Sequence, residues 1–416
     1  TAYQMGTDER EEKQVSFKKR QADFVSFHVT LVQILAWRDG MKILILSCNT
    51  GEGHNSSGKA LKAVLTRKGA DCDIIDTLSL KSESLSKAVS DLYEFSIKIG
   101  LFGLVYRFAQ WYSSRQFKWK SPVYLFCMLF AKRLAHIIKT GGYDGVICVH
   151  LFPAEAITWI RRKYGQYVPS IFVMTDYTCI PILYETELDK YIIPHESLIE
   201  EFVEKGLTRN KLQAVGIPVN EKAFTTRWPK AEAREFLNVL YEWEEAKGRW
   251  YLIMGGSMGF GNIVGLIKEL ESRIGKHDRI ICICGKNEKL KEDIGRQFSE
   301  NPSVKPLGYS KKISLLMDGS DVLLTKPGGI TSTEAIIKNI PLVHISPIKG
   351  LEEDNAAFFR DMYMAVGGMT VREQAEQAVE LSHNDILREQ MLEIQRENCN
   401  PDCSNEIADI MIRMTH

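Results

Sequence analysis

From Met41 onward, short and nearly uninterrupted apolar runs alternate with longer stretches of helical periodicity. Lys42–Ser47 (KILILS), Asp73–Asp76, Gly145–Val149 (GVICV), Ser170–Met174 (SIFVM) and Tyr191–Ile193 read as strands, with helices over Ser56–Arg67 and Ala154–Tyr164. Strands apolar on both faces, separated by amphipathic helices, predict a parallel sheet covered on both sides. The pattern then restarts. Trp250–Met254 (WYLIM), Ile280–Cys284 (IICIC), Asp321–Leu324 (DVLL) and Leu342–Ile345 (LVHI) alternate with helices opening near Asn262, Asn287, Ile330 and Glu352. Between the halves, Gly216-Ile217-Pro218-Val219 interrupts regular structure and suits a hinge.

The expectation is an α/β protein of two doubly wound, Rossmann-like domains, residues 41–215 and 216–383. Such a pair faces across a cleft at the carboxyl ends of its strands, where ligands bind. Residues 384–416 carry two more helices, Asn384–Arg396 and Ser404–Met414, expected to pack back on the first domain. Residues 1–40 are set apart as an N-terminal extension without an assigned role. A length of 416 residues agrees with more than one domain.

Composition excludes several classes. Lys plus Arg equals Asp plus Glu, 53 against 53, so no global positive charge points to nucleic acid. The longest apolar run, Tyr124–Ala131, is eight residues, far short of the ~20 needed to span a bilayer. Nine scattered cysteines lack paired zinc-ligand spacing and suit buried thiols in a reducing cytosol.

Four loops carry candidate chemistry. The first, Asn49-Thr50-Gly51-Glu52-Gly53-His54-Asn55, links the first strand to a helix. His54 sits at the helix start, where the dipole disfavours the imidazolium, so a neutral ring there can accept a proton. The plainer alternative is a histidine that only packs the loop. Gly53 to Lys59 also fits G-x-x-x-x-G-K, but Ala60 replaces the hydroxyl that binds magnesium in a P-loop, so nucleotide hydrolysis is not expected. The second loop, Gly255-Gly256-Ser257-Met258-Gly259-Phe260-Gly261, lacks the acidic residue of a dinucleotide site at the end of the following strand.

The third, Lys326-Pro327-Gly328-Gly329-Ile330-Thr331-Ser332-Thr333-Glu334, feeds a strand into a helix whose free N–H groups suit a diphosphate. Glu334, one turn in, can accept hydrogen bonds from a ribose diol; alternatively it serves only the helix dipole. The fourth, Pro347 to Asn355, gathers acids and an amide that suit sugar hydroxyls or an ordinary helix start. Asp71-Cys72-Asp73 formally matches the D-x-D of metal-dependent sugar transfer, yet flanks an early strand and reads as solvated strand-edge charge.

One segment differs from the neutral whole. Phe95 through Tyr143 contains no Asp or Glu but eight Lys or Arg, interleaved with Phe102, Phe108, Trp111, Tyr112, Phe117 and Trp119. A basic, aromatic, amphipathic stretch suits an anionic membrane surface, where each cation contributes about 1 kcal/mol. Phe102, Arg107, Trp111, Arg115, Lys118 and Trp119 are its candidate contacts. Solvated helices are the alternative.

Taken in order, TGEGH (50–54), MTDY (174–177), GIPV (216–219), MGGSMG (254–259), KPGGITSTEA (326–335) and GLEEDN (350–355) resemble the monogalactosyldiacylglycerol synthase and processive diacylglycerol glucosyltransferase group of glycosyltransferase family 28. The resemblance implies a GT-B fold and inverting, metal-independent transfer of a hexose from UDP-glucose or UDP-galactose to diacylglycerol. It places the protein peripherally on the cytoplasmic face of a membrane. No cofactor is implied, and neither the hexose nor the oligomeric state follows. Carried over, His54 and Asp176 are candidate bases, with Gly51 and Gly53 at the acceptor face. Gly256, Ser257, Met258 and Gly259, with Pro327, Gly328, Gly329, Ile330 and Thr331, would surround the diphosphate and sugar. Glu334 would take the ribose, Glu352 and Asn355 the hexose, and the backbone around Gly308 and Tyr309 the uracil. Leu351 departs from the Gln frequent in the family. Transfer to an undecaprenyl-linked peptidoglycan precursor, and a non-catalytic UDP-sugar sensor, are the alternative functions.

Overall fold

The computed structural model describes residues 40–49, 51–115, 120–245, 247–256, 259 and 261–415. The extension before residue 40, and the candidates Lys118, Trp119, Ser257 and Met258, lie outside the described residues.

Two six-stranded sheets form, and every strand pair in them is parallel. The first has the order β2-β1-β3-β4-β5-β6, built from β1 (Lys42–Ser47), β2 (Asp71–Asp76), β3 (Gly145–Cys148), β4 (Ser170–Val173), β5 (Lys190–Ile193) and β6 (Leu212–Ala214). The second has the order β12-β11-β10-β7-β8-β9, from β7 (Trp250–Met254), β8 (Arg279–Ile283), β9 (Val304–Leu307), β10 (Val322–Thr325), β11 (Leu342–His344) and β12 (Val366–Gly367). β3, β4, β7, β8, β10 and β11 are buried along their whole length, which is why they read as continuous apolar runs.

β6, β9 and β12 escape that reading. Each lies at a sheet edge or end, is partly exposed, and lacks an apolar run; β9 even contains Pro306, tolerated because an edge strand needs fewer ladder donors. β2 starts two residues earlier than its sequence suggests and takes Asp71 and Cys72 into the edge strand with Asp73. There Asp73 pairs with Lys42 and accepts from the Tyr143 hydroxyl at 2.7 Å, far from any ligand role.

In each sheet the strand order reverses at one place: between β1 and β3 in the first, and between β7 and β10 in the second. Loops leaving such neighbours diverge to opposite faces and leave a crevice at the carboxyl edge. Asn49 and Gly51, after β1, border the first crevice, and Gly256, Lys326 and Gly328, after β7 and β10, border the second.

The C-terminal helices divide. Cys403–Thr415 packs on the first sheet, where Ile407, Ala408 and Met411 join Ile43, Ile45 and Ile147 in one apolar cluster. Asp385–Glu397 stays on the second, with Met391 in that sheet's core and Asn339 donating to Leu392 O. Between these helices the chain clasps the interlobe crossing: Asn400 donates to Val215 O, and Ser404 to Val219 O.

Helices Glu83–Lys98, Leu101–Ser114 and Pro122–Gly141 stand between β2 and β3. The apolar run Tyr124–Ala131 falls in the last of these, which buries Cys127, Phe130 and Leu134 and exposes Leu125 and Leu129. Among the described residues no helix is long and apolar enough to cross a membrane.

Candidate active site

The two crevices meet in a cavity of about 690 Å³. Its first wall is the start of helix Glu52–Arg67, which opens without a side-chain cap and includes His54 in its first turn. The whole stretch resembling a P-loop is therefore helix, not a phosphate-cradling loop. His54 Nδ1 lies 2.8 Å from Val149 O, an acceptor only, so the neutral ring carries its proton on Nδ1 and leaves the Nε2 lone pair free. Burial holds the His54 pKa below its ordinary 6.5, against the opposing pull of Asp176 and the Val149 bond. A neutral ring at physiological pH is the form that accepts a proton.

Behind Nδ1 a relay continues. Thr175 Oγ1 lies 3.1 Å from Nδ1 and donates to Asp176 Oδ2 at 3.3 Å, while Asp176 Oδ1 accepts from Asn355 at 2.9 Å. Each Asp176 oxygen thus accepts one hydrogen bond, and Thr175 links the carboxylate to the imidazole. His150 stands edge-on to His54, with ring centroids 4.7 Å apart, and caps helix Leu151–Tyr164 by accepting from Phe152 N. Burial, then the neighbouring His54, pushes the His150 pKa well below 6.5.

The opposite wall is the start of helix Gly329–Lys338. No side chain caps it, so its first N–H groups and its positive dipole end are directed to the cavity. Of the three hydroxyl residues at that end, only Thr331 lines the cavity. Ser332 bonds His344 Nε2 at 3.0 Å, and Thr333 bonds Gly329 O and the Tyr177 hydroxyl. Lys326 forms an ion pair with Glu352, whose second oxygen accepts from Ile348 N at 3.0 Å. Lys286 adds a further cation to this wall.

Two glycines set how closely the walls approach. A Cβ on Gly329 would stand 2.0 Å from Thr175 O, so only glycine lets the second lobe's helix rest on the first lobe's loop. Gly256, at φ +76°, lies against the Lys326 stem, 2.5 Å from where its own Cβ would be.

This geometry has known counterparts. Residues 54–219 match the family described as monogalactosyldiacylglycerol (MGDG) synthase, and residues 251–413 match the glycosyltransferase family 28 C-terminal domain. The processive diacylglycerol beta-glucosyltransferase of Bacillus licheniformis is 30% identical over 333 residues, covering 78% of this chain and 82% of that protein. The Bacillus subtilis protein of the same name is 29% identical over 332 residues, with the same coverage of both. The chain belongs to glycosyltransferase family 28. The crystal structure of the kitacinnamycin glycotransferase, 12% identical, superposes with a TM-score of 0.63 over 91% of this chain and all of that one, which fixes the fold as GT-B.

Within this family 28 glycosyltransferase the cavity gathers Gly51, Gly53, His54, Asp176, Gly256, Gly328, Gly329, Ile330, Thr331, Glu352 and Phe102. Other candidates stand outside its walls. Asn355 is buried: it accepts from Tyr177 N and donates to Asp176 and to Pro327 O, so it ties the lobes together. Glu352 is already neutralised by Lys326. Glu334 lies a turn deeper, half-buried and without a partner among the described residues, and burial pushes its carboxyl up to about 8. Pro327 is buried, Gly259 packs on Leu290, and Gly308 and exposed Tyr309 follow β9 at the sheet edge. Arg107, Trp111 and Arg115 are exposed on the outer surface.

Sequence reasoning passed over Lys326, Thr175, His150 and helix Glu83–Lys98, which supplies the cavity's third wall. Lys326 lay inside a quoted motif, and its charge beside two glycines was the available signal. The helix gave none, being an ordinary amphipathic stretch.

Proposed function

We propose that this protein moves a hexose from a UDP-sugar to the hydroxyl of diacylglycerol, with inversion, at an anionic membrane surface on the cytoplasmic side. The observation that carries this reading is the placement of a neutral imidazole, with Nε2 free, in one cavity with an uncapped helix start. The relatives' names supply the lipid acceptor and the hexose class.

In the proposed step the acceptor hydroxyl gives its proton to His54 Nε2 as its oxygen bonds the anomeric carbon. The bond from that carbon to UDP breaks, and UDP leaves with the electron pair. Charge growing on the diphosphate meets the N–H groups at Gly329–Thr331, with Lys286 nearby. The imidazolium is steadied through Val149 O and the Thr175–Asp176 relay. Because helix and lysine offset the charge, the reading assigns no role to a divalent metal. The half-buried Glu334 carboxyl would be brought to its charged form by two ribose hydroxyls.

The outer surface supports the membrane assignment. Leu92, Phe95, Ile99, Leu104, Phe108 and Trp111 are all at least half exposed on adjoining helices, beside Arg107 and Arg115. Clusters of that kind mark interaction sites.

The test supplies radiolabelled UDP-glucose and UDP-galactose separately to vesicles containing diacylglycerol and anionic lipid, with and without EDTA. Label in a lipid of hexosyl-diacylglycerol mass, unchanged by EDTA, is expected. Failure of both donors to label lipid would overturn the reading.

A further inference from the structure

The imidazole of His54 belongs to the first lobe, yet part of what holds it comes from the second. Among the described residues Asp176 has no cationic partner, and two neutral donors hold its carboxylate. Thr175 gives its hydroxyl proton to Oδ2 at 3.3 Å, which leaves Thr175 Oγ1 as an acceptor 3.1 Å from His54 Nδ1. The other donor is the Asn355 amide, 2.9 Å from Oδ1, on helix Leu351–Asp361 of the second lobe. Tyr93 and Glu94 of helix Glu83–Lys98 also line the cavity, but neither hydrogen-bonds Asp176.

The Asn355 amide fits its place in one orientation. Its Oδ1 accepts from Tyr177 N at 2.7 Å, and its two N–H bonds point to Asp176 Oδ1 and, at 3.0 Å, to Pro327 O. A flipped amide would set an oxygen against two acceptors and an NH₂ group against an N–H. Because Asn355 is fully buried, those groups would then go unsatisfied. Pro327 lies just before the helix start that faces the cavity, so one side chain joins the donor wall to the carboxylate behind the base. Nearby contacts brace the same seam. Tyr177 stacks on Phe358 with ring centroids 4.8 Å apart, and its hydroxyl lies 2.9 Å from Thr333 Oγ1 on helix Gly329–Lys338.

An amide and a hydroxyl fix a carboxylate by direction, not by neutralising its charge. Without the amide, half-buried Oδ1 has no donor, the carboxylate is free to turn, and Thr175 loses the acceptor that sets its hydroxyl.

We propose that Asn355 is a positioning residue for the transfer: from the second lobe it fixes the Asp176 carboxylate, and through Thr175 the His54 imidazole, so that the base is set only while the donor wall is in place. This rests on the transferase reading above and deepens it, by making the lie of the donor wall a condition for proton acceptance.

The experiment uses the full chain, a UDP-hexose and vesicles of diacylglycerol with anionic lipid, and measures kcat and donor KM separately. It compares wild type, Asn355→Ala, Asn355→Asp, Asp176→Ala and the double variant Asn355→Ala with Asp176→Ala, with thermal unfolding to verify each fold. Asn355→Ala is expected to lower kcat by about 10- to 100-fold, with donor KM changed less than about twofold. In the Asp176→Ala background the same substitution should cost less than about twofold further, because the group it acts through is gone. Asn355→Asp should fall at least as far as Asn355→Ala. It keeps the shape and could still accept from a sugar hydroxyl, but it cannot donate to Asp176. Equal losses in both backgrounds, a loss carried by donor KM, or near-wild-type kcat in Asn355→Asp would each overturn the proposal. Should Asn355→Ala fail to fold, Asn355→Asp with and without Asp176→Ala decides by the same criterion. If wild type puts no hexose on diacylglycerol, the transferase reading falls and this role with it; an active wild type with equal losses in both backgrounds removes the positioning role alone.

Discussion

The cavity's donor wall and its helical third wall are built on opposite plans. On the donor wall, polar side chains largely answer one another: Lys326 with Glu352, Asn355 with Tyr177, Asp176 and Pro327, and Ser332 with His344. What faces the cavity there is backbone, at Gly328–Thr331. On helix Glu83–Lys98 the side chains face the cavity unpaired, and the backbone is hidden in the helix. Backbone donors held by glycine cannot be exchanged for others, and they suit a fixed group such as a diphosphate. Side chains on an exposed helix can be replaced one at a time, which suits an acceptor that varies. The difference predicts that damage to the donor wall is broad, and that damage to the third wall is selective.

The largest effect belongs to the group that stands between the two walls. His54→Ala is expected to lower kcat by 10²–10⁴-fold while UDP binding, measured by calorimetry, is retained. Because burial lowers the His54 pKa, the sign for wild type is definite. The neutral, active fraction persists as pH falls through 6.5, and kcat/KM declines only at a lower pH. An acid limb centred above 6.5, or an active His54→Ala, would remove the base assignment.

Next comes the donor wall's internal pairing. Lys326→Met leaves Glu352, only 7% exposed at its side chain, with its charge unpaired. Breaking such a pair costs roughly 3 kcal/mol of stability, read as a fall in denaturant midpoint at constant slope. The double variant Lys326→Met with Glu352→Gln should recover part of that loss. No recovery would mean that the two side chains are not coupled, and the contrast between the walls would weaken.

Gly329→Val tests how the walls meet. Its side chain would occupy the place of Thr175 O, and displacement of the lobes by about 1 Å can cost about 10²-fold in kcat/KM. Thermal stability should change less than rate, since the strand pairing within each sheet is untouched. Equal activity with valine would show that the lobes need not touch there during turnover.

The same contrast explains what could be read from the chain. The two sheets were legible because their central strands are buried on both faces, whereas β6, β9 and β12 sit at edges where partial exposure removes the apolar signal. The donor wall was legible because Gly329 and Gly256 are demanded by close approach, so glycine recurs there whatever surrounds it. Asn355 lay in a legible motif but its tie between the lobes did not show there, since only the folded lobes bring Tyr177, Asp176 and Pro327 to its amide. Tyr93 and Glu94 left no mark, because an inward-facing polar pair on an amphipathic helix has the same sequence pattern as a solvated one.

The smallest effect concerns the outer face of the neighbouring helix, Leu101–Ser114. Leu104 and Phe108 are 64% and 62% exposed, so neither contributes much to the folded chain in water. Transfer of two such side chains from water into a bilayer interface would contribute about 2 kcal/mol together, allowing for incomplete burial. Leu104→Ser with Phe108→Ser is therefore expected to weaken sedimentation with anionic vesicles by roughly 30-fold, with little change in the unfolding midpoint. The inner side of this helix complicates the expectation in a useful way. Tyr106 packs against Gly350, and Gln110 donates to Asp354 at 3.2 Å, on the segment that also carries Glu352. If the outer face serves only as an anchor, the double variant should act on a short-chain acceptor dispersed in water at the wild-type rate. If it acts there more slowly, the helix also holds the donor wall in place, and the two walls are less independent than their construction suggests.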